Sequence, residues 1–253
     1  MMQQEKQKII EVKNLKVQYG DRLILENINF NINKGEVFVI VGGSGCGKST
    51  LLKQLIGLET PTEGNVLING TDITQLNEEK KIEIMRRNGV LFQFNGLFAS
   101  MTIGENIELI LRKYTNLSNN QIKDAVELKL SLVGLSGFQN YKPSEISGGM
   151  KKRAALARAM ALDPEILFFD EPSSGLDPVT SASLDNLIKE LNTALKTTMV
   201  IVTHDLASIK TISHRIIMLD SSKKGIIAEG DLSELINYKE NRKVYNFFNR
   251  ILE

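Results

Sequence analysis

Apolar residues recur along this chain with two periods. From Ile9 to Val17 and from Leu23 to Ile32 they alternate with polar ones, the pattern of half-buried strands, with Tyr19-Gly20-Asp21 as the turn between them. Val37 to Val41 is a continuous apolar, β-branched run, which suits a strand covered on both faces. A glycine-rich turn and a helix from Lys48 to Gly57 follow, then a short strand from Asn65 to Ile68 before the Asn69-Gly70 turn. The middle changes to a helical period over Glu78–Arg87, Ile103–Tyr114, Gln121–Val133 and Gly148–Ala161. Strands and helices then alternate again: Ile166–Phe169, Val179–Leu195, Met199–Val202, Leu206–Ser213 and Arg215–Leu219, with Gly225–Glu229 closing a hairpin.

Strand–helix alternation predicts an α/β fold with a mainly parallel sheet. The antiparallel alternation near the start predicts a β subdomain, and the helical stretch over 95–162 an inserted helical subdomain within one domain spanning 1–253. The tail, 237–253, carries Val244, Tyr245, Phe247, Phe248, Ile251 and Leu252 at spacings of three and four, an amphipathic helix face. That face suits either the chain's own core or a second subunit.

Composition narrows the class. Apolar residues make up 42% of the 253, enough for a sizeable core. With 31 basic against 30 acidic residues there is no basic excess of the kind a nucleic-acid binder carries. The single cysteine, Cys46, can form no internal disulfide and fits a reducing, cytoplasmic setting. The first residues are polar and read as no secretion signal, and no apolar run approaches the roughly 20 residues of a membrane span. Action on a membrane therefore requires a partner.

Two motifs carry chemistry. Gly42-Gly43-Ser44-Gly45-Cys46-Gly47-Lys48-Ser49 matches the phosphate-binding loop, with the required apolar strand before it and helix after it. Its glycines let backbone N–H groups close around phosphates, the helix N-terminus adds free donors, Lys48 reaches the β- and γ-phosphates, and Ser49 supplies a hydroxyl to Mg²⁺. Thr50 is expected at a phosphate as well. The second motif is the strand Ile166 to Phe169 ending in Asp170-Glu171. There Asp170 can hold Mg²⁺ through water while Glu171 orients and deprotonates the attacking water.

With these in place, Ile146-Ser147-Gly148-Gly149-Met150-Lys151-Lys152-Arg153 resembles the signature motif of ABC ATPases. Ser174-Gly175-Leu176-Asp177 resembles their D-loop, His204 their switch histidine, Gln93 their Q-loop glutamine and Tyr19 their adenine-stacking aromatic. The resemblance spans roughly residues 9–235. It implies a dimer in which each ATP lies between one copy's phosphate loop and the other's Ser147, Gly148 and Gly149. It also implies that Gln93 touches the metal or water and reports to a membrane permease, and that His204 holds the γ-phosphate and the water. Met150 departs from the usual glutamine of the signature, so no role passes to it.

The segments Ser147–Ala159 and Gly89–Ile107 are similar to those in ATPases of mammalian-cell-entry (MCE) lipid transporters. This implies phospholipid cargo, an MCE-type lipid-binding partner and a peripheral position on the inner face of the cell membrane. Other readings of the same chain are a small-solute importer, a soluble ABC ATPase of repair or translation, and a non-catalytic ATP switch. One phosphate loop and one cysteine speak against the second of these, and intact Lys48, Asp170, Glu171 and His204 against the third.

Overall fold

The computed structural model describes residues 7–251, so the tail residue Leu252 and most of the polar N-terminal stretch lie outside it. The chain begins with β1 (Lys8–Tyr19) and β2 (Arg22–Asn33), then β3 (Val37–Gly42), α1 (Lys48–Leu55), β4 (Glu63–Ile68) and β5 (Thr71–Asp72). Next come α2 (Glu78–Met85), β6 (Asn88–Leu91), α3 (Ile103–Tyr114), α4 (Asn119–Leu132) and α5 (Gly148–Ala159). The last part is β7 (Ile166–Asp170), α6 (Pro178–Leu195), β8 (Thr198–Val202), α7 (Leu206–Ile212), β9 (Arg215–Asp220), β10 (Gly225–Gly230), α8 (Leu232–Ile236) and α9 (Arg242–Asn249).

Two sheets result. The first is antiparallel in the order β2-β1-β4-β5; the second runs β10-β9-β3-β8-β7-β6. In the second sheet β9, β3, β8, β7 and β6 are parallel and β10 returns antiparallel as the expected hairpin. The continuous apolar runs are explained by cover on both faces. Val37, Val39 and Val41 enter a core built with the helices, while Phe38 and Ile40 enter a second core with α1 and the antiparallel sheet.

β6 is a strand that the periodicity leaves out. Its four residues, Asn-Gly-Val-Leu, hold too few apolar positions to show a period, and it forms by pairing along β7 from Asn88↔Ile166 to Leu91↔Phe169. The helices of the middle are set locally: Thr102 and Ser118 form capping boxes with Glu105 and Gln121 at the starts of α3 and α4. The tail helix α9 seats Val244 and Phe248, both buried, in the chain's own helix-side core, and Lys243 Nζ pairs with Asp220 at 2.7 Å.

Candidate active site

The parallel strands place the candidate residues at one edge of the sheet. β3 ends at Gly42, β8 leads into Thr203-His204, and β7 ends at Asp170, with β8 lying between the other two. These are carboxyl ends of strands, where open α/β sheets bind ligands.

The loop after β3 depends on two glycines. Gly42 has φ +147°, and a Cβ there would fall 2.4 Å from Leu219 O and 2.6 Å from Cys46 Sγ. Gly47, with φ +104°, is the N-cap of α1 and brings no side-chain cap, which leaves the first N–H groups of α1 free to donate. Gly43, Ser44 and Gly45 form the exposed tip, and Cys46 turns inward, 3% exposed, where burial pushes its thiol pKa up and keeps it unreactive. Lys48 Nζ spans the loop, donating to Gly42 O at 2.9 Å and Gly43 O at 3.0 Å. Ser49 Oγ donates to Asp170 Oδ1 at 3.4 Å, joining the two motifs across the sheet edge.

Burial and the neighbouring Glu171 raise the Asp170 pKa, against the pull of Ser49, Lys48 and Lys152. Glu171 stands in left-handed backbone, φ +47°, a conformation uncommon for a non-glycine residue and typical of functional sites. Its N–H donates to Val202 O at 2.9 Å, and its Oε1 lies 2.8 Å from His204 Nδ1. A neutral imidazole that donates from Nδ1 to this carboxylate presents Nε2 as an acceptor. Both residues line an open cavity of about 410 Å³ together with Ser174, Gly175 and Asp205.

Tyr19 is about half exposed at the end of β1. Its hydroxyl donates to Glu59 and lies beside the Thr50 hydroxyl of α1. Gln93 follows β6. Its side chain donates to Ser174 Oγ at 3.4 Å rather than to the Ser49–Asp170 pair.

Ser147 is the N-cap of α5, its Oγ accepting from Met150 N at 3.3 Å. Gly149 faces α6: a Cβ there would be 2.4 Å from Thr180 Cγ2, and one on Gly148 would reach Leu176 at 3.8 Å. The structure thus sets Gly148 beside Leu176 and Gly149 beside Thr180 of their own chain, and no hydrogen bond among the described residues joins Ser147, Gly148 or Gly149 to the phosphate loop.

Two residues to which the sequence assigned no part belong to this region. Lys152, 3% exposed on α5, donates to Gln93 O at 2.6 Å, and Arg158 on the same helix donates to Gly96 O. Their partners are main-chain carbonyls, which leave no trace in sequence.

Comparison with known proteins agrees with this geometry. Residues 25–174 match the family model described as ABC transporter. The chain is 42% identical over 238 residues to the intermembrane phospholipid transport system ATP-binding protein MlaF of Haemophilus influenzae, covering 94% of this chain and 89% of that protein. It is 38% identical to MlaF of Escherichia coli K12, covering 92% and 86%. A probable ribonucleotide transport ATP-binding protein, mkl, of Mycobacterium leprae is 47% identical over 83% of this chain, which spans 60% of that protein. Among solved structures, a dimeric bacterial ABC transporter cassette superposes with a TM-score of 0.80 at 35% identity, covering 88% of this chain and 98% of that one. A Clostridium perfringens component of the cbiONQ ABC transporter complex gives 0.82 at 28% identity, covering 97% and 98%. With its phosphate loop, paired carboxylates and this degree of likeness, the chain belongs to the ABC transporter family, as one of its ATP-hydrolysing cassettes.

Proposed function

We propose that this cassette works as a pair of copies on the inner face of a membrane, where it drives a permease that moves phospholipid between membranes with an MCE-type lipid-binding protein as partner. The hydrolytic reading rests above all on the Glu171–His204 contact of 2.8 Å at the strand edge that holds the phosphate loop. Lys48 and the N–H groups of Gly43 to Thr50 receive the β- and γ-phosphates. Ser49 and Asp170 offer hard oxygen donors 3.4 Å apart, which fit Mg²⁺ shared with phosphate and water, and Gln93 can swing from Ser174 to join them. Bound there, Mg²⁺ would offset the charge on the phosphates. Glu171 takes the proton of the attacking water, and His204 accepts from that water at Nε2 and holds it beside the γ-phosphate. Tyr19 stacks on adenine. Ser147, Gly148 and Gly149, at the start of α5, bind the γ-phosphate held by the other copy.

The permease reading is supported by the surface beside Gln93. A groove of about 430 Å³ runs between α2, β6, α3 and α5, with Phe92, Asn95 and Gly96 in its lining, and Phe94 in the same loop is 89% exposed. Residues 95–162, the proposed helical subdomain that moves with the signature, form one wall of this groove. No helix among the described residues is long and apolar enough to cross a membrane. The phospholipid reading follows the two MlaF proteins, each covered over most of its length. The mycobacterial name favours a second cargo, a ribonucleotide.

A tagged copy purified from detergent-solubilised membranes, with proteins and small molecules identified by mass spectrometry, separates these. A permease, an MCE-domain protein and enriched phospholipid are expected. A solute-binding protein with no lipid enrichment would replace phospholipid by a small solute, and soluble partners alone would end the membrane reading.

A further inference from the structure

Lys152 is an unusual group for its place. An ammonium that is 3% exposed is costly to bury unless it is paired. Here it is held by one short hydrogen bond to a main-chain carbonyl, Gln93 O at 2.6 Å. Burial lowers its pKa, and the nearby charges of Asp170 and Glu171 oppose that effect. It therefore lies close enough to feel both carboxylates of the hydrolytic site while anchoring the loop that follows β6.

Further hydrogen bonds continue from that anchor. The Gln93 side chain donates to Ser174 Oγ, and Ser174 N donates to Glu171 O at 3.1 Å. Six residues further along α5, Arg158 donates to Gly96 O and lies over the Phe98 ring at 5.2 Å. Thus α5, which starts after the Ser147 cap, holds the 93–98 loop at two points, the first through the buried ammonium of Lys152.

We propose that Lys152 is a positioning residue for hydrolysis: it fixes the Gln93 main chain, so that the loop and the signature helix move as one unit. The proposal rests on the hydrolytic reading of Glu171. Within that unit a shift of α5, whose N-terminus serves one ATP, changes the setting of Gln93 and Glu171 at the other. The direct contact is to a carbonyl, so a donor alone supports the loop.

The test compares Lys152→Met, Lys152→Gln and Lys152→Arg in the full chain. ATP affinity is measured with a fluorescent analogue, hydrolysis by phosphate release, and loop order by amide hydrogen exchange. Lys152→Met is expected to raise exchange across residues 92–98 with no change across β7. It should also lower kcat about tenfold or more with the KM for ATP within about twofold, the scale of one lost charge-assisted hydrogen bond. Lys152→Gln restores loop protection with part of kcat, and Lys152→Arg restores both. If Lys152→Met left kcat and loop exchange unchanged, or if all three variants lost kcat only in step with melting temperature, the proposal would be overturned. A wild-type chain that binds no ATP would instead overturn the hydrolytic reading; the exchange comparison would still report on the loop anchor.

Discussion

The carboxyl edge of the parallel sheet and the start of α5 carry the same kind of group, a helix N-terminus with free donors, yet they are furnished differently. At the sheet edge each reactive side chain has a partner within the chain: Lys48 on Gly42 and Gly43, Ser49 on Asp170, Glu171 on His204. At α5 the Ser147 hydroxyl serves its own helix, and Gly148 and Gly149 are narrowed only against Leu176 and Thr180. The first region is a hydrolytic centre assembled by one fold. The second is a helix start that no hydrogen bond among the described residues joins to the phosphate loop of its own chain, and on the proposed reading a second copy supplies that loop.

The largest expected effect lies in the first region. Glu171→Gln removes the base but keeps the shape, so hydrolysis should fall by about 10²–10⁴-fold while ATP binding stays intact. ATP should then hold the copies together in gel filtration with light scattering. Equal losses of binding and hydrolysis would remove Glu171 from the role of base. Next is the tail. Phe248→Ala empties a position that is 3% exposed and should cost about 3–5 kcal/mol of stability by denaturant titration, with no change in ATP-driven association. Loss of association at unchanged stability would move α9 from the chain's own core to the partner.

A smaller effect is expected at α5. Ser147→Ala removes an N-cap worth about 1 kcal/mol and should weaken ATP-driven association more than it weakens nucleotide binding by the separate chain. The reverse order would place Ser147 in its own chain's site. The smallest concerns Lys243, whose bond to Asp220, helped by Ser222, holds that carboxyl down to about 2. A depressed carboxylate stabilises the fold above its unfolded value near 3.9, and the gain is lost as pH falls toward 2. Because the ion pair is partly open to solvent, Lys243→Met should cost at most about 1 kcal/mol at pH 7 and nothing near pH 2, read from melting curves.

Much of this fold is legible in the sequence because many of its strands either alternate over much of their length or are largely apolar. β1 and β2 show the first pattern, β3, β7 and β8 the second, and the phosphate loop falls where strand gives way to helix. β6 is not legible, since four residues including Asn88 and Gly89 carry no period and gain their form from β7. The same limit applies to the site. Spacing can suggest Lys48, Asp170 and Glu171, and the family resemblance adds His204; their chemistry lies in their own side chains. Spacing cannot suggest Lys152 or Arg158, which act on carbonyls 59 and 62 residues away. Nor does spacing alone say that α9 docks Val244 and Phe248 on the core, because an apolar helix face has the same period whatever covers it.

The central claim is that α5 of one copy completes the nucleotide site of another. The most direct measurement mixes two tagged forms in a Cys46→Ser background, one carrying Ser44→Cys and the other Ser147→Cys, and oxidises them with and without ATP. A disulfide joining the two different tags, formed with ATP and absent without it, is the result the account predicts. No cross-link between tags under saturating ATP, with both forms folded and binding nucleotide, would contradict it.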